Sequence, residues 1–70
     1  MKICVNGEIK KIKVGSSSPN LSTVINQLGF HPKLVVVEFN GRILNSERWE
    51  TQPIKEGDNL EIVTIVGGGS

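Results

Sequence analysis

The sequence predicts an α+β fold, a mixed four- to five-stranded sheet with one helix packed across it. Three observations lead there. Short apolar or alternating runs, two of them next to an Asn-Gly pair, have the length and pattern of strands. One stretch, Leu21 to Leu28, carries its apolar residues at helical spacing instead. The chain has 70 residues, and a domain of that size buries only about 60% of its unfolded surface, so helix and sheet must share one core.

Ile3 and Val5 alternate with Lys2, Cys4 and Asn6, the period of a half-buried strand. Asn6-Gly7 tolerates positive φ and predicts a tight hairpin. In the second strand Ile12 and Val14 face one way, Lys11 and Lys13 the other. Gly15 to Ser18 is a loop. Ser18 before Pro19 has the form of a helix N-cap with proline at the first helical position, and Asn20 is a rival cap. Leu21, Val24, Ile25 and Leu28 then make one apolar stripe. Gly29 is placed to end the helix in a left-handed conformation, with Phe30 packing back on Ile25. Pro32 stops any continuation.

Leu34 to Phe39 is apolar apart from Glu38, which suits an interior strand. Asn40-Gly41 marks a second tight turn, and Ile43-Leu44 a short return strand. Ser46 to Thr51 predicts one helical turn, capped by Ser46, with Trp49 pointing inward. Pro53 and Glu56-Gly57-Asp58 punctuate the chain before a last apolar strand, Leu60 to Val66. Two interior strands and a single helical stripe bury one another when the helix lies across the sheet. That arrangement is the β-grasp. The domain occupies residues 1–66, and residues 67–70 form a flexible glycine tail.

Composition narrows the function. Cys4 is the one cysteine, so no intrachain disulfide forms, and a lone thiol suits a reducing cytoplasm. The start has no apolar run of signal-peptide length, and no stretch reaches the length of a membrane span. Net charge is +1 from eight basic and seven acidic side chains, too balanced for a nucleic-acid partner. Lys10, Lys11 and Lys13 read as a solvated strand face. Cys4 reads as a packed thiol, His31 as a surface loop residue and Trp49 as a lid on the core. Glu38, Glu47 and Glu50 share no cleft that the sequence can place. Nothing predicts a metal site or catalysis within the chain, and the expectation is that it is not an enzyme.

The chemistry concentrates at Gly67-Gly68-Gly69, directly after the last apolar strand. Three residues without side chains span at most about 10 Å, enough to thread a carboxylate into another protein's nucleotide site. An unhindered glycyl carbonyl also suits repeated acyl chemistry. Gly-Gly-Gly-Ser is equally a unit of flexible linkers, and the tail gains meaning from the strand before it.

The hairpin at Asn6-Gly7, the helix Leu21–Leu28, Val35-Val36-Val37-Glu38-Phe39-Asn40-Gly41, Glu47-Arg48-Trp49 and Glu56-Gly57-Asp58 leading to Val66-Gly67-Gly68-Gly69 together resemble the ThiS family. These are the sulfur carriers of thiamin biosynthesis, within the ubiquitin-like β-grasp superfamily. The resemblance implies that a ThiF-type enzyme adenylates the Gly69 carboxylate, with ATP and magnesium belonging to that enzyme and no cofactor to the carrier. A cysteine desulfurase or rhodanese-like donor then supplies sulfur, and a thiazole synthase of the ThiG type accepts it from the thiocarboxylate. On this pattern Gly69 is modified, Gly68 and Gly67 form the tail, and Ile65 and Val66 belong to the docking surface; Val63 joins them because uncovered apolar residues on the outward face of the last strand suit association. Ser70 departs from the pattern, because an amide-bonded Gly69 has no carboxylate: either a peptidase removes Ser70, or Ser70 is not native to the chain, or this copy is inactive, and the first two are favoured equally. Two alternatives remain open. One is a MoaD-like or other carrier serving molybdopterin or cysteine synthesis. The other is a β-grasp adaptor that binds a protein and never uses its tail.

Overall fold

The computed structural model describes residues 1–15 and 19–65. Ser18 as a cap, Val66 as a docking residue, and the tail of Gly67, Gly68, Gly69 and Ser70 lie outside the described residues.

Strands β1 (Lys2–Val5) and β2 (Glu8–Lys11) form an antiparallel hairpin in which Val5 faces Glu8. Asn6 and Gly7 both have positive φ, 52° and 83°, the signature of a two-residue type I′ turn. Such a turn closes the register at once, so the second strand begins at Glu8 rather than around Ile12. Ile12 lies just beyond β2 and is still buried. Its N–H donates to the Met1 carbonyl at 2.7 Å, and the Met1 amino group donates back to the Ile12 carbonyl at 3.2 Å. Val14, expected beside it, is exposed. All four β2 side chains are exposed because β2 is the sheet's outermost strand.

Helix α1 (Leu21–Gln27) starts at Asn20, whose Oδ1 accepts from the Thr23 N–H at 2.8 Å. Asn20 is therefore the cap in place. Leu21, Val24 and Ile25 are fully buried. At the other end Gly29 has φ 84°, Phe30 N–H donates to the Ile25 carbonyl at 3.2 Å and Gly29 N–H to that of Asn26 at 3.1 Å. This is the Schellman arrangement read from the sequence. A 3-10 turn (Pro32–Leu34) follows, capped by His31 through an Nδ1 that accepts from the Lys33 N–H at 3.2 Å.

Strands β3 (Val35–Phe39) and β4 (Arg42–Leu44) form a second antiparallel hairpin, with Phe39 facing Arg42. Asn40 and Gly41 sit at φ 50° and 89°. A second 3-10 turn (Ser46–Thr51) has Asn45, not Ser46, at its cap position, without a side-chain cap bond. Trp49 anchors the turn instead. It is buried, and its indole N–H donates to the Leu44 carbonyl at 2.9 Å. Strand β5 (Asn59–Thr64) closes the fold, and the Ile65 N–H extends its pairing to the Leu34 carbonyl at 2.6 Å.

The sheet order is β2-β1-β5-β3-β4, with β5 parallel to β1 and antiparallel to β3. The last strand is thus the central one. On its inner face Leu60 and Ile62 join Ile3, Val5, Val35 and Val37 in the core with the helical stripe, Trp49 and Ile54.

The two turn asparagines also bind across the sheet. Asn6 Oδ1 accepts from the Ile62 N–H at 2.7 Å while its Nδ2 donates to the Ile62 carbonyl at 3.1 Å. Asn40 Oδ1 accepts from the Asn59 N–H at 2.8 Å, and its Nδ2 donates to Asp58 Oδ1 at 3.2 Å. Asp58 is buried and also accepts from the Lys55 N–H at 2.8 Å. Asn40→Ala removes two of these bonds and puts a residue with a Cβ at positive φ without local compensation. The expected loss is about 2–3 kcal/mol in urea denaturation; a loss below about 0.5 kcal/mol contradicts this account.

Candidate functional site

A strand with one face in the core presents alternate residues to the other side. On β5 the inward residues are Leu60 and Ile62, so Asn59, Glu61 and Val63 face outward. On β3 Val35 and Val37 point inward, and Val36 and Glu38 outward. The antiparallel register sets Val36 opposite Val63 and Glu38 opposite Glu61. On β4 Ile43 faces Glu38.

The result is an apolar patch on the face away from the helix, built from Val36, Ile43 and Val63, with Leu34 and Ile65 beside it where β3 begins and β5 ends. Ile43 is 69% exposed, Val63 61% and Ile65 51%. Isolated exposed apolar residues are ordinary, but five gathered at one end of a sheet make a candidate contact surface. The patch lies against the end of β5 from which the chain runs on to Gly67. Val63 and Ile65, the docking residues expected within the described part of the chain, are both exposed. Leu34, Val36 and Ile43 were missed. The run Val35-Val36-Val37 suits a strand covered on at least one face, and without polar alternation it does not show that Val36 turns outward.

The remaining sequence candidates do not assemble a catalytic centre. Cys4 is half-buried on the outer face, opposite Ile9. His31 caps a turn, and Trp49 belongs to the core. Glu47 and Glu50 are exposed on the second 3-10 turn. Among the described residues no three His, Cys, Asp or Glu side chains are grouped to hold a metal ion. No helix among them is long and apolar enough to cross a membrane. Among the described residues the outer face offers an apolar surface beside the end of β5.

Comparison with known proteins bears on what that segment is. The model of the ThiS family matches residues 3–69. A crystal structure of the thiamine biosynthesis protein ThiS from Geobacter metallireducens superposes with a TM-score of 0.79 at 31% identity, covering 99% of this chain and 100% of that one. The ycf40 protein of Trieres chinensis, itself uncharacterised, is 46% identical over 50 residues, covering 71% of this chain and 68% of its own. A thiazole synthase of Paramagnetospirillum magneticum is 34% identical over 70 residues; this spans all of the present chain but only 21% of the synthase. The family match runs nearly end to end and stops at Gly69, and the fold agrees in its five-stranded sheet and single helix. The chain belongs to the ThiS family and has its ubiquitin-like β-grasp fold.

Proposed function

We propose that this protein is a sulfur carrier for thiazole formation in thiamin biosynthesis, a co-substrate rather than an enzyme. The observation that carries the reading is a family match ending at Gly69, the last of three glycines that follow the central strand. In the proposed cycle the Gly69 carboxylate attacks the α-phosphorus of ATP bound with magnesium in a ThiF-type enzyme. Pyrophosphate leaves and an acyl-adenylate remains. The outer sulfur of a cysteine persulfide on a desulfurase or rhodanese-like donor attacks the acyl carbon and AMP departs, leaving an acyl disulfide; two equivalents of a thiol reductant then split it into the glycyl thiocarboxylate and the donor thiol, and are themselves oxidised to a disulfide. A ThiG-type thiazole synthase accepts that sulfur. Gly67 and Gly68 keep the tail slender enough to enter each partner's site.

The thiazole synthase partner draws support from relatives of that name, in each of which about a fifth of the length is similar to at least 99% of this chain. Sulfur supply to molybdopterin or cysteine synthesis uses the same tail chemistry and differs in the acceptor. An adaptor would not use the tail at all.

The deciding experiment uses protein ending at Gly69, because Ser70 in amide linkage leaves no carboxylate to activate. Incubated with a ThiF-type enzyme, magnesium-ATP and sulfide, it is expected to gain the mass of one oxygen-to-sulfur exchange. Absence of that gain while the enzyme turns over another carrier removes the proposal.

Docking is assigned to Val63, Ile65 and Val66. Val63→Glu places a charge in the exposed patch without touching the core, so the melting temperature is expected to change by only about 2–4 °C. The KM for the carrier in the adenylation assay rises about tenfold or more as the apolar contact is lost. An unchanged KM with a folded variant rules out this face as the docking surface.

A further inference from the structure

The apolar patch does not stand alone on the outer face. Immediately beside Val36 and Val63 the register places Glu38 and Glu61 directly opposite each other. Like charges in that relation repel. Among the described residues the one ion pair is Lys10 with Glu8, at 3.3 Å on the β2 edge, so neither glutamate has a cationic partner. The residues outside that description are serine, valine and glycine, and they bring no cation either. A second like-charged pair marks the other end of the same face, where Lys2 lies opposite Lys11. A chain of net charge +1 thus carries a polarised face: lysines at the β1–β2 end, then Cys4 and Asn59, then the two glutamates, then the apolar patch next to the tail.

We propose that the Glu38–Glu61 pair is a specificity element that receives an arginine from the activating enzyme, set within an apolar contact surface on that enzyme. The inference deepens the carrier reading and rests on it. A planar guanidinium offers two parallel pairs of N–H donors and can bridge two carboxylates at once, which a lysine ammonium does less well. Docking an apolar surface over Val36, Ile43 and Val63 strips water from the neighbouring glutamates. A partner without a cation at that point leaves two like charges desolvated side by side and is rejected; a partner with one relieves the repulsion.

The test compares the full-length protein with the Glu38→Gln, Glu61→Gln double variant. In the free protein the substitutions remove a repulsion, so the melting temperature is expected to stay the same or rise. In calorimetric titration into a ThiF-type enzyme without ATP, the parent binds and the double variant binds about 10- to 100-fold more weakly. Raising the salt weakens the parent far more than the variant. Equal affinities with equal salt dependence overturn the inference, as does failure of the parent to bind. Lys2→Gln, Lys11→Gln controls for charge in general: it is expected to weaken binding much less, and an equal loss assigns the effect to net charge and overturns the specific role. The thiocarboxylate assay on protein ending at Gly69 is read separately. A parent that gains sulfur while the glutamate variant binds normally leaves the carrier reading standing and removes this one.

Discussion

Compared with protein ending at Gly69, a chain that also lacks Gly68 and Gly69 is expected to lose sulfur loading completely while its melting temperature stays within about 2 °C, as for surface changes away from the core. The two halves of that result have different physical origins. Every residue of the buried core lies between Ile3 and Ile62, and the sheet pairing among the described residues ends with Ile65. Both therefore consist of residues that the truncated chain retains. Loading, by contrast, depends on one acyl carbon at the end of a segment that carries no side chains. Shortening by two glycines withdraws the terminus by about 7 Å. A catalytic group displaced by even about 1 Å already loses rate by orders of magnitude. An adaptor that reads only the face of the sheet predicts the opposite, a truncated protein that keeps its partner and its phenotype. Intact-mass measurement after the adenylation reaction, with thermal melting of the same sample, separates the two. Retained loading by the truncated chain is incompatible with a thiocarboxylate at Gly69.

Local chemistry made much of the fold legible. Asn6-Gly7 and Asn40-Gly41 need no tertiary context to favour two-residue turns, and both adopt positive φ as expected. The helix end at Gly29 and Phe30 is likewise encoded within six residues and forms the bonds foreseen for it. Pairing between distant segments was harder to read. The displacement of the second strand to Glu8–Lys11 follows from the turn type, which decides the register before hydrophobic pattern can. The cap at Asn20 displaced Ser18 because Asn20 reaches the Thr23 N–H and hydroxyl together. The candidate site shows the same limit. Val63 and Ile65 could be named from their own strand, but their neighbours Val36 and Ile43 come from two other strands. The opposition of Glu38 and Glu61, separated by more than twenty positions in the chain, has no local signature at all.

Leu60→Ala tests the claim that the strand bearing the tail is also the keystone of the domain. Leu60 is fully buried on β5, between Val5 of β1 and Phe39 of β3. Truncation to alanine removes three carbons from a site enclosed by rigid strands on both sides, where relaxation into the cavity is limited. Such changes cost about 2–5 kcal/mol. A domain of 70 residues has only about 4–10 kcal/mol in total, so a loss near 3 kcal/mol lowers the melting temperature by roughly 12–24 °C. Trp49, the one tryptophan and buried against the same core, reports the transition by fluorescence in urea. A shift in midpoint without a change in slope is expected, since the surface exposed on unfolding is nearly the same. Three residues further along the same strand, Val63→Glu is expected to leave the midpoint almost unmoved and to impair docking. The contrast follows from the two-residue period of the strand: Leu60 holds the sheet to the helix, and Val63 offers the other face to a partner. If Leu60→Ala melts like the parent, β5 is not the strand that the core closes around, and the support beneath the glycine tail has been assigned to the wrong place.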